Sequence, residues 1–337
     1  MTQQFRTAAL SRKGPDLLLW AHDVSGELAE SGLIAPIQLP PRVKDRLRPV
    51  GLRAFTYKGR LYGYPLTLAA VTLIRNTKMA PEPIGTLEKL VDFSRQLKKS
   101  GGGRFGLLFE VKSAYFTFPF FSAQQADFFP VSNGVQSTGR FGLDSAGGVS
   151  ALEKIVDLAH AGLVPAGTDR NIVMDKMLSG KLAFMIDGPW AIRDLKKRQI
   201  PFAVDPLPTW KGKEMRALVG AHGLMIRRSS PNQALAREFV ERTILTPEGL
   251  HSFLKFDPRV PALKVSGSQW SSDFPELKAF SQSVENGVVM PNSPAMGAVW
   301  PAMKAALHQA TEGHTEPASA LRAAGQKIRS QIDSIYH

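Results

Sequence analysis

The chain has 337 residues, of which 43% are hydrophobic and 21% charged, and it contains no cysteine. This length is typical of two domains, and the apolar content excludes global disorder. The absence of cysteine excludes disulfide frameworks, thiolate metal sites and cysteine nucleophiles. No apolar run approaches the roughly 18 residues that a membrane span needs, so we expect no integral membrane protein.

Lysine and arginine outnumber aspartate and glutamate by 42 to 29, which gives a net charge of +13. Such an excess makes an anionic partner worth considering. The basic residues are nevertheless spread along the chain, and neither an aromatic-basic RNA-binding module nor a helix-turn-helix signature accompanies them. We therefore expect a solvated positive surface and no nucleic-acid partner.

Short apolar runs alternate with helical patterns along the chain, which is typical of α/β layers. In the first half we predict a strand over 17–21, a helix over 25–31, a hairpin over 57–65, a strand over 68–74, a helix over 86–99 and a strand over 105–111. In the second half we predict helices over 145–161 and 171–178, a strand over 182–186, and helices over 231–245, 247–254, the stretch after 275, 298–309 and 317–336.

The usual catalytic motifs are absent from the sequence. The seven histidines are scattered without metal-site spacing, and there is neither a phosphate-binding loop nor a nucleophile elbow, so we predict no metal and no cofactor. Three acids, Asp23, Glu110 and Asp187, follow predicted strands, where α/β proteins place functional groups, although capping or solvation explains each of them more readily than a functional role. A carboxylate pair for glycoside hydrolysis therefore stays an open alternative.

Several large aromatic residues lie at predicted loop edges, where a strand or loop leads into a helix. Each alone is typical of a core or hinge contact. Together they favour a neutral polyhydroxylated ligand such as a sugar, whose apolar C–H faces stack on flat rings while side chains hydrogen-bond its hydroxyl rim. These residues are Trp20, Tyr115, Phe116, Phe118, Trp190 and Trp300.

Six motifs in colinear order give the chain a family resemblance over nearly its whole length. They occupy residues 14–23 (GPDLLLWAHD), 57–65 (YKGRLYGYP), 114–119 (AYFTFP), 187–191 (DGPWA), 245–250 (LTPEGL) and 290–300, from Met-Pro-Asn-Ser-Pro to Trp. In these motifs the sequence resembles the periplasmic maltose/maltodextrin-binding proteins of bacterial ABC importers.

The resemblance implies a two-lobed α/β clamp of the type II periplasmic-binding-protein fold, with hinge strands and the ligand held between the lobes. The first lobe would comprise residues 1–68 plus 220–272, and the second lobe residues 69–219 plus 273–337. In the family, a signal peptide and the first strand and helix precede the stretch that matches from Phe5 onward. We therefore expect an N-terminally truncated chain whose first lobe lacks that strand and helix.

The resemblance also implies the residues of the sugar site. From the first lobe, Trp20 would act as a platform and Asp23 as a hydroxyl acceptor, because an ionised carboxylate makes charge-assisted hydrogen bonds. From the second lobe, Tyr115, Phe116 and Trp190 would stack on successive sugar rings. Three further positions carry over as a soft apolar contact, another platform and a basic contact, namely Met290, Trp300 and Lys304.

Several polar positions of the family are changed in this chain. Val24 stands where the family has Arg, Ala69 where it has Glu, and Ser113-Ala114 where it has Glu-Pro, while Lys304 replaces a planar Arg fork by a point charge. Each lost hydrogen bond costs about 0.5 to 1.5 kcal/mol, and about 1.5 to 3 where the partner was charged. We therefore expect weakened maltose affinity or altered sugar specificity.

The function implied by the resemblance is a non-enzymatic, monomeric, periplasmic solute receptor. It would bind maltose, maltodextrin or a related oligosaccharide and deliver it to the membrane permease subunits of an ABC importer. A carbohydrate-active hydrolase with a cryptic carboxylate pair is the alternative. A third interpretation, non-specific polyanion binding, predicts an affinity that collapses with salt.

Overall fold

The computed structural model describes residues 2–11, 14–129, 131–132, 135–136, 141–264 and 272–336. The contacts within the chain group into two compact units. Unit 1 comprises Met1–Ala69, Val219–Lys278 and Val289–Met296, and unit 2 comprises Ala70–Leu218, Ala279–Val288 and Gly297–His337. Each unit is defined only by the contacts among its own residues. The lobe boundaries expected from the sequence therefore stay a prediction.

The α-helices, named α1 to α14 in chain order, span Thr2–Leu10, Ser25–Glu30, Pro41–Lys44, Pro49–Phe55, Leu87–Lys99, Ala114–Ala123, Ala146–His160, Arg170–Leu178, Ile192–Lys197, Gln233–Phe239, Pro247–Leu254, Leu277–Asn286, Met296–Thr311 and Pro317–Tyr336. Short 3-10 turns cover His22–Val24 and Pro189–Ala191, and a π-helical turn over Val240–Ile244 continues α10. The α5 boundary illustrates the local chemistry, since the Thr86 hydroxyl accepts the Lys89 N–H and Gly101 follows the helix at φ +74°.

The strands, named β1 to β15 in chain order, span Leu17–Ala21, Thr56–Tyr57, Arg60–Leu61, Tyr64–Ala69, Thr72–Asn76, Phe105–Leu108, Val131–Ser132, Val135–Gln136, Leu182–Asp187, Phe202–Asp205, Thr209–Trp210, Lys213–Glu214, Leu218–Ile226, Val260–Pro261 and Val288–Val289. Helices and strands alternate along the chain as the sequence predicts. The α/β fold class is therefore confirmed.

The sheet of unit 1 is built around the long strand β13. The strand order is β1-β13-β4-β14, and β15 also pairs with β13. Every pairing in the main order is antiparallel, with Ala21 opposite His222 at the end of β1. Gly223 allows close packing here, because a Cβ at this position would lie 2.3 Å from the Tyr64 carbonyl oxygen and 2.7 Å from the Phe55 ring.

A buried histidine ties the end of β1 to two other segments of unit 1. The Nδ1 atom of His22 accepts the Ala221 N–H at 3.0 Å, and its Nε2 lies 2.7 Å from the Met290 carbonyl oxygen. The ring is fully buried, and burial lowers its pKa. Only the neutral ring with its proton on Nε2 makes both hydrogen bonds, so the fold selects that tautomer.

Unit 2 contains a four-stranded sheet in the order β10-β5-β9-β6. Strand β9 is fully buried and pairs antiparallel with β5 but parallel with β6, with Leu107 opposite Phe184. Helix α5 packs on β6 and α8 packs on β9. The carboxyl ends of β6 and β9 therefore lie side by side at one edge of this sheet.

Two expectations about local structure are wrong. The predicted strand over 68–74 is two strands, β4 and β5, separated at Ala70 and Val71. Both strands are completely buried, so an unbroken apolar run conceals the break between them. Phe118 lies inside α6 rather than at a loop edge, is 1% exposed, and stacks on Phe128 with ring centroids 5.4 Å apart. It is a core residue.

Among the described residues, no helix is both long enough and apolar enough to cross a bilayer.

We expect acid to destabilise unit 1 through the buried His22 and the half-buried His222. Burial, with the Arg259 charge, lowers the pKa of His222 from 6.5 to about 4, and the pKa of His22 is lowered in the same direction. Below pH 6.5 these histidines are protonated in the unfolded chain but stay neutral in the folded chain. The free energy of unfolding therefore falls as the pH drops towards 4. Between pH 7 and pH 4.5, the free energy of unfolding should fall by about 1 to 3 kcal/mol less in His222→Gln than in the parent protein.

Urea unfolding at a series of pH values measures this difference, with the exposed His160→Gln as the matched histidine control. A His222→Gln protein whose stability follows the same pH curve as the parent protein contradicts the prediction.

Candidate functional site

Three of the predicted site residues come together at the carboxyl edge of the unit 2 sheet. Tyr115 and Phe116 lie in the first turn of α6, which follows β6, and Trp190 lies in the 3-10 turn that follows β9. The parallel pairing of β6 with β9 places both segments at the same edge, although they are far apart in sequence. We call Tyr115, Phe116 and Trp190 the aromatic trio.

The rings of the aromatic trio contact one another. The Tyr115 centroid lies 5.7 Å from that of Phe116 and 6.2 Å from that of Trp190, and the Phe116 and Trp190 centroids are 6.3 Å apart. Phe116 meets both partners edge-on and is 8% exposed, while Tyr115 and Trp190 are half-buried. Phe116 thus supports two rings that are each partly exposed to solvent.

Three charged side chains of unit 2 act on the carboxyl group of Glu110, which lies on the loop between β6 and α6. Burial raises the pKa of the half-buried Glu110 carboxyl, as does the negative charge of Asp169, whereas the Lys304 and Arg170 charges lower it. Sequence reasoning flagged Glu110 as one of three acids after strands. It missed Arg170, because an arginine next to the helix-capping Asp169 carries no signal of its own.

Asp187 ends β9 and is fully buried, three residues before Trp190. One carboxylate oxygen accepts the Gly188 N–H at 2.7 Å, and Arg170 Nε lies 3.2 Å from the other oxygen. Burial raises the pKa of Asp187 to about 6, against the lowering effects of Arg170, the Gly188 N–H and the nearby Trp190 side chain. A buried acid therefore stands behind the aromatic trio, linked to Arg170.

The other two predicted residues of unit 2 lie on α13. Trp300 is half-buried and meets Phe128 edge-on, with ring centroids 5.8 Å apart. Lys304 follows one turn later, is exposed, and acts electrostatically on Glu110. Lys304 therefore belongs to the charged surroundings of Glu110, and Trp300 packs on the aromatic core that Phe128 shares with Phe118.

The predicted residues of unit 1 are joined through His22. Trp20 lies in β1 and Asp23 in the turn after it, and both are half-buried. Met290 is 5% exposed, and its carbonyl oxygen accepts the His22 hydrogen bond described above. The motif around His22 thus brings Trp20, Asp23 and the Met290 backbone into one part of unit 1.

The chemistry offered by unit 2 is that of a binding surface with flat rings and mixed charges. Within the described residues, no group of three or more histidine, aspartate or glutamate side chains is arranged to hold a metal ion. Rings of this kind present apolar faces, and the neighbouring carboxylate and guanidinium groups supply hydrogen-bond acceptors and donors.

Comparison with known proteins gives concordant matches. A family model described as bacterial extracellular solute-binding protein matches residues 1–282. The chain is 28% identical over 311 residues to a maltotriose-binding protein of Pyrococcus abyssi, which covers 90% of this chain and 67% of that protein.

Two Bacillus subtilis proteins are also similar. A galactooligosaccharide-binding protein is 24% identical over 336 residues, covering 95% of this chain and 77% of its own length. The maltodextrin-binding protein MdxE is 26% identical over 333 residues, covering 96% of this chain and 78% of its own length. The relatives share a sugar-binding role by name but differ in the oligosaccharide named.

Proposed function

This chain belongs to the bacterial extracellular solute-binding proteins, and we propose that it is the oligosaccharide receptor of an ABC sugar importer. It binds a malto-oligosaccharide or a related sugar outside the cytoplasmic membrane and delivers it to the membrane permease subunits. It works as a monomer, without a cofactor and without chemical change to the ligand. The aromatic trio of unit 2 is the observation that carries the proposal.

The aromatic trio suits a glycan because its two half-buried rings differ in direction. The Tyr115 and Trp190 rings are inclined to each other at 42°, with centroids 6.2 Å apart. A chain of pyranose rings that bends at each glycosidic link can lay successive apolar faces on such inclined rings. Phe116, edge-on to both, keeps the two rings in place without needing ligand contact itself.

Polar recognition falls to the charged groups beside the aromatic trio. Glu110 and Arg170 offer an acceptor and a forked donor, and Lys304 offers a point charge. Hydrogen bonds between sugar hydroxyls and charged groups contribute about 1.5 to 3 kcal/mol each, against about 0.5 to 1.5 for neutral pairs. The particular set of charges, rather than the rings, therefore decides which sugar is preferred.

Maltose itself is expected to bind weakly, because Val24, Ala69 and Ser113-Ala114 remove polar groups that the resembled family possesses. The relatives named for maltotriose, maltodextrin and galactooligosaccharide make longer glucans and galactosides the natural alternatives to test. Trp20 and Asp23 of unit 1 remain proposed contacts for the same ligand, as platform and hydroxyl acceptor.

Replacing Trp190 by alanine should weaken binding of the preferred sugar at least tenfold, since loss of a stacked ring removes more than about 1.4 kcal/mol. Calorimetric titration with maltose, maltotriose, longer maltodextrins and galactooligosaccharides measures this effect. Trp210→Phe is the matched control, because Trp210 is 4% exposed and packs on Phe120. Equal sugar affinity in Trp190→Ala and the parent protein refutes the proposed site, and maltose binding at micromolar affinity or tighter refutes the weak-maltose expectation.

The receptor should return its ligand unchanged. The observation that favours the hydrolase alternative is the pKa of Glu110, which burial and the Asp169 charge raise. A carboxylic acid with a raised pKa is the kind of group that protonates a leaving group. Incubation of the preferred oligosaccharide with excess protein for a day, followed by chromatography of the sugars, should recover the starting chain length. Shortened products that disappear in Glu110→Gln would establish the hydrolase instead.

A further inference from the structure

Asp187 is an unexpected residue for its position. Strand β9 reads Leu-Ala-Phe-Met-Ile-Asp, every residue of it is buried, and Asp187 itself is 0% exposed. A buried carboxylate is costly unless hydrogen bonds and charges compensate it. The apolar strand requires no acid at its end, so the carboxylate must be explained by its partners.

Those partners lie along the turn that carries Trp190. The Asp187 carboxylate accepts the Gly188 N–H at 2.7 Å and faces the Arg170 guanidinium, and the Trp190 side chain lies nearby. The carboxylate therefore fixes the backbone of Gly188, two residues before Trp190.

Gly188 makes room for the ring itself. Its backbone, at φ −102° and ψ −179°, is extended and open to any residue type. A Cβ on Gly188, however, would lie 2.3 to 2.5 Å from three atoms of the six-membered ring of Trp190. The indole thus folds back against its own turn and occupies the space that any side chain at position 188 would need.

We propose that Asp187 and Gly188 are the positioning residues of Trp190: the carboxylate holds the Gly188 N–H and so fixes the turn, and the missing side chain admits the ring, so that the indole stays beside Tyr115 and Phe116. The effect on sugar affinity rests on the function proposed above, whereas the effect on the ring itself does not. Arg170 belongs to the same arrangement. Its guanidinium faces the Asp187 carboxylate, and its charge also lowers the pKa of Glu110.

The proposal makes distinct predictions for three variants. Asp187→Ala removes the acceptor and should release the indole, lowering sugar affinity about five- to twentyfold. Asp187→Asn keeps one carbonyl oxygen and should recover part of that loss. Gly188→Ala leaves the acceptor in place but displaces the ring, so it should resemble Asp187→Ala in sugar affinity.

The ring position can be read without any ligand by 19F NMR of protein labelled with 5-fluorotryptophan. The chain has five tryptophans, and the resonance of Trp190 is assigned as the one lost in Trp190→Phe. Asp187→Ala and Gly188→Ala should each move or broaden this resonance and leave the tryptophan resonances outside the aromatic trio in place. Asp175→Ala, which removes an exposed acid from α8, is the matched control.

Sugar titration of the double variants then separates positioning from a general structural role. In a Trp190→Phe background, Asp187→Ala should change affinity less than twofold, because the residue that it positions is already absent. An unmoved Trp190 resonance in both Asp187→Ala and Gly188→Ala overturns the proposal, as does an equal loss of affinity in both backgrounds. If the parent protein binds no sugar, the receptor function fails while the 19F spectra still decide the positioning of Trp190.

Discussion

The parallel pairing of β6 with β9 is the constraint on which the candidate site depends. Parallel neighbours end at the same edge of a sheet, so the segments that follow them must start side by side. Here those segments carry Tyr115 and Phe116 in one case and Trp190 in the other. The contacts of Trp190 with Tyr115 and Phe116, at 6.2 and 6.3 Å between ring centroids, therefore follow from strand topology, and any change that shifts the register of Leu107 opposite Phe184 would separate these rings.

Each unit has a buried ionisable side chain at the end of a strand, close in sequence to a candidate ligand-binding ring. In unit 1, His22 follows β1 and Trp20, and the neutral ring bridges the Ala221 N–H and the Met290 carbonyl. In unit 2, Asp187 ends β9 and holds the Gly188 N–H close to Trp190. Burial moves the pKa of both towards the neutral form, downward for His22 and upward for Asp187.

The His22 and Asp187 side chains fix the local backbone through hydrogen bonds, and their burial costs desolvation free energy. A hydrogen-bonded polar group inside an apolar edge restricts the chain, since an arrangement that breaks its hydrogen bonds leaves a buried donor or acceptor unsatisfied at about 1 to 3 kcal/mol. Side chains that must present a flat ring to solvent gain from such restriction, because hydrophobic packing alone covers only one side of them. The strand ends are consequently where polar residues are retained in an otherwise apolar sheet.

The elements that sequence periodicity predicts well are those whose pattern is local. The helix α5 has its cap, acidic first turn and terminal glycine in one stretch, and β9 is an uninterrupted apolar run. Strand β13 offers no such signal, because its glycines and histidine are typical of a loop. It is a strand because β1 and β4 pair with it on either side, which a local pattern does not encode.

The candidate site likewise has residues that the sequence predicts and contacts that only the structure shows. The rings at 115, 116 and 190 were predictable, since motifs of the resembled family carry them. The contact of Arg170 with Asp187 joins two segments through tertiary structure, and the fold of the Trp190 ring over Gly188 depends on the direction of one side chain within its turn, so no spacing rule reveals either contact. Phe118 shows the reverse error, in which an aromatic residue of the same motif belongs to the core.

A crystal structure of the protein grown with saturating maltotriose, or with the tightest-binding sugar of the panel, tests the central claim most directly. The account predicts glycan density with pyranose faces about 4 Å from the Tyr115 and Trp190 rings, within ordinary van der Waals contact. Glycan density located elsewhere on the protein, with both rings uncovered, would contradict it.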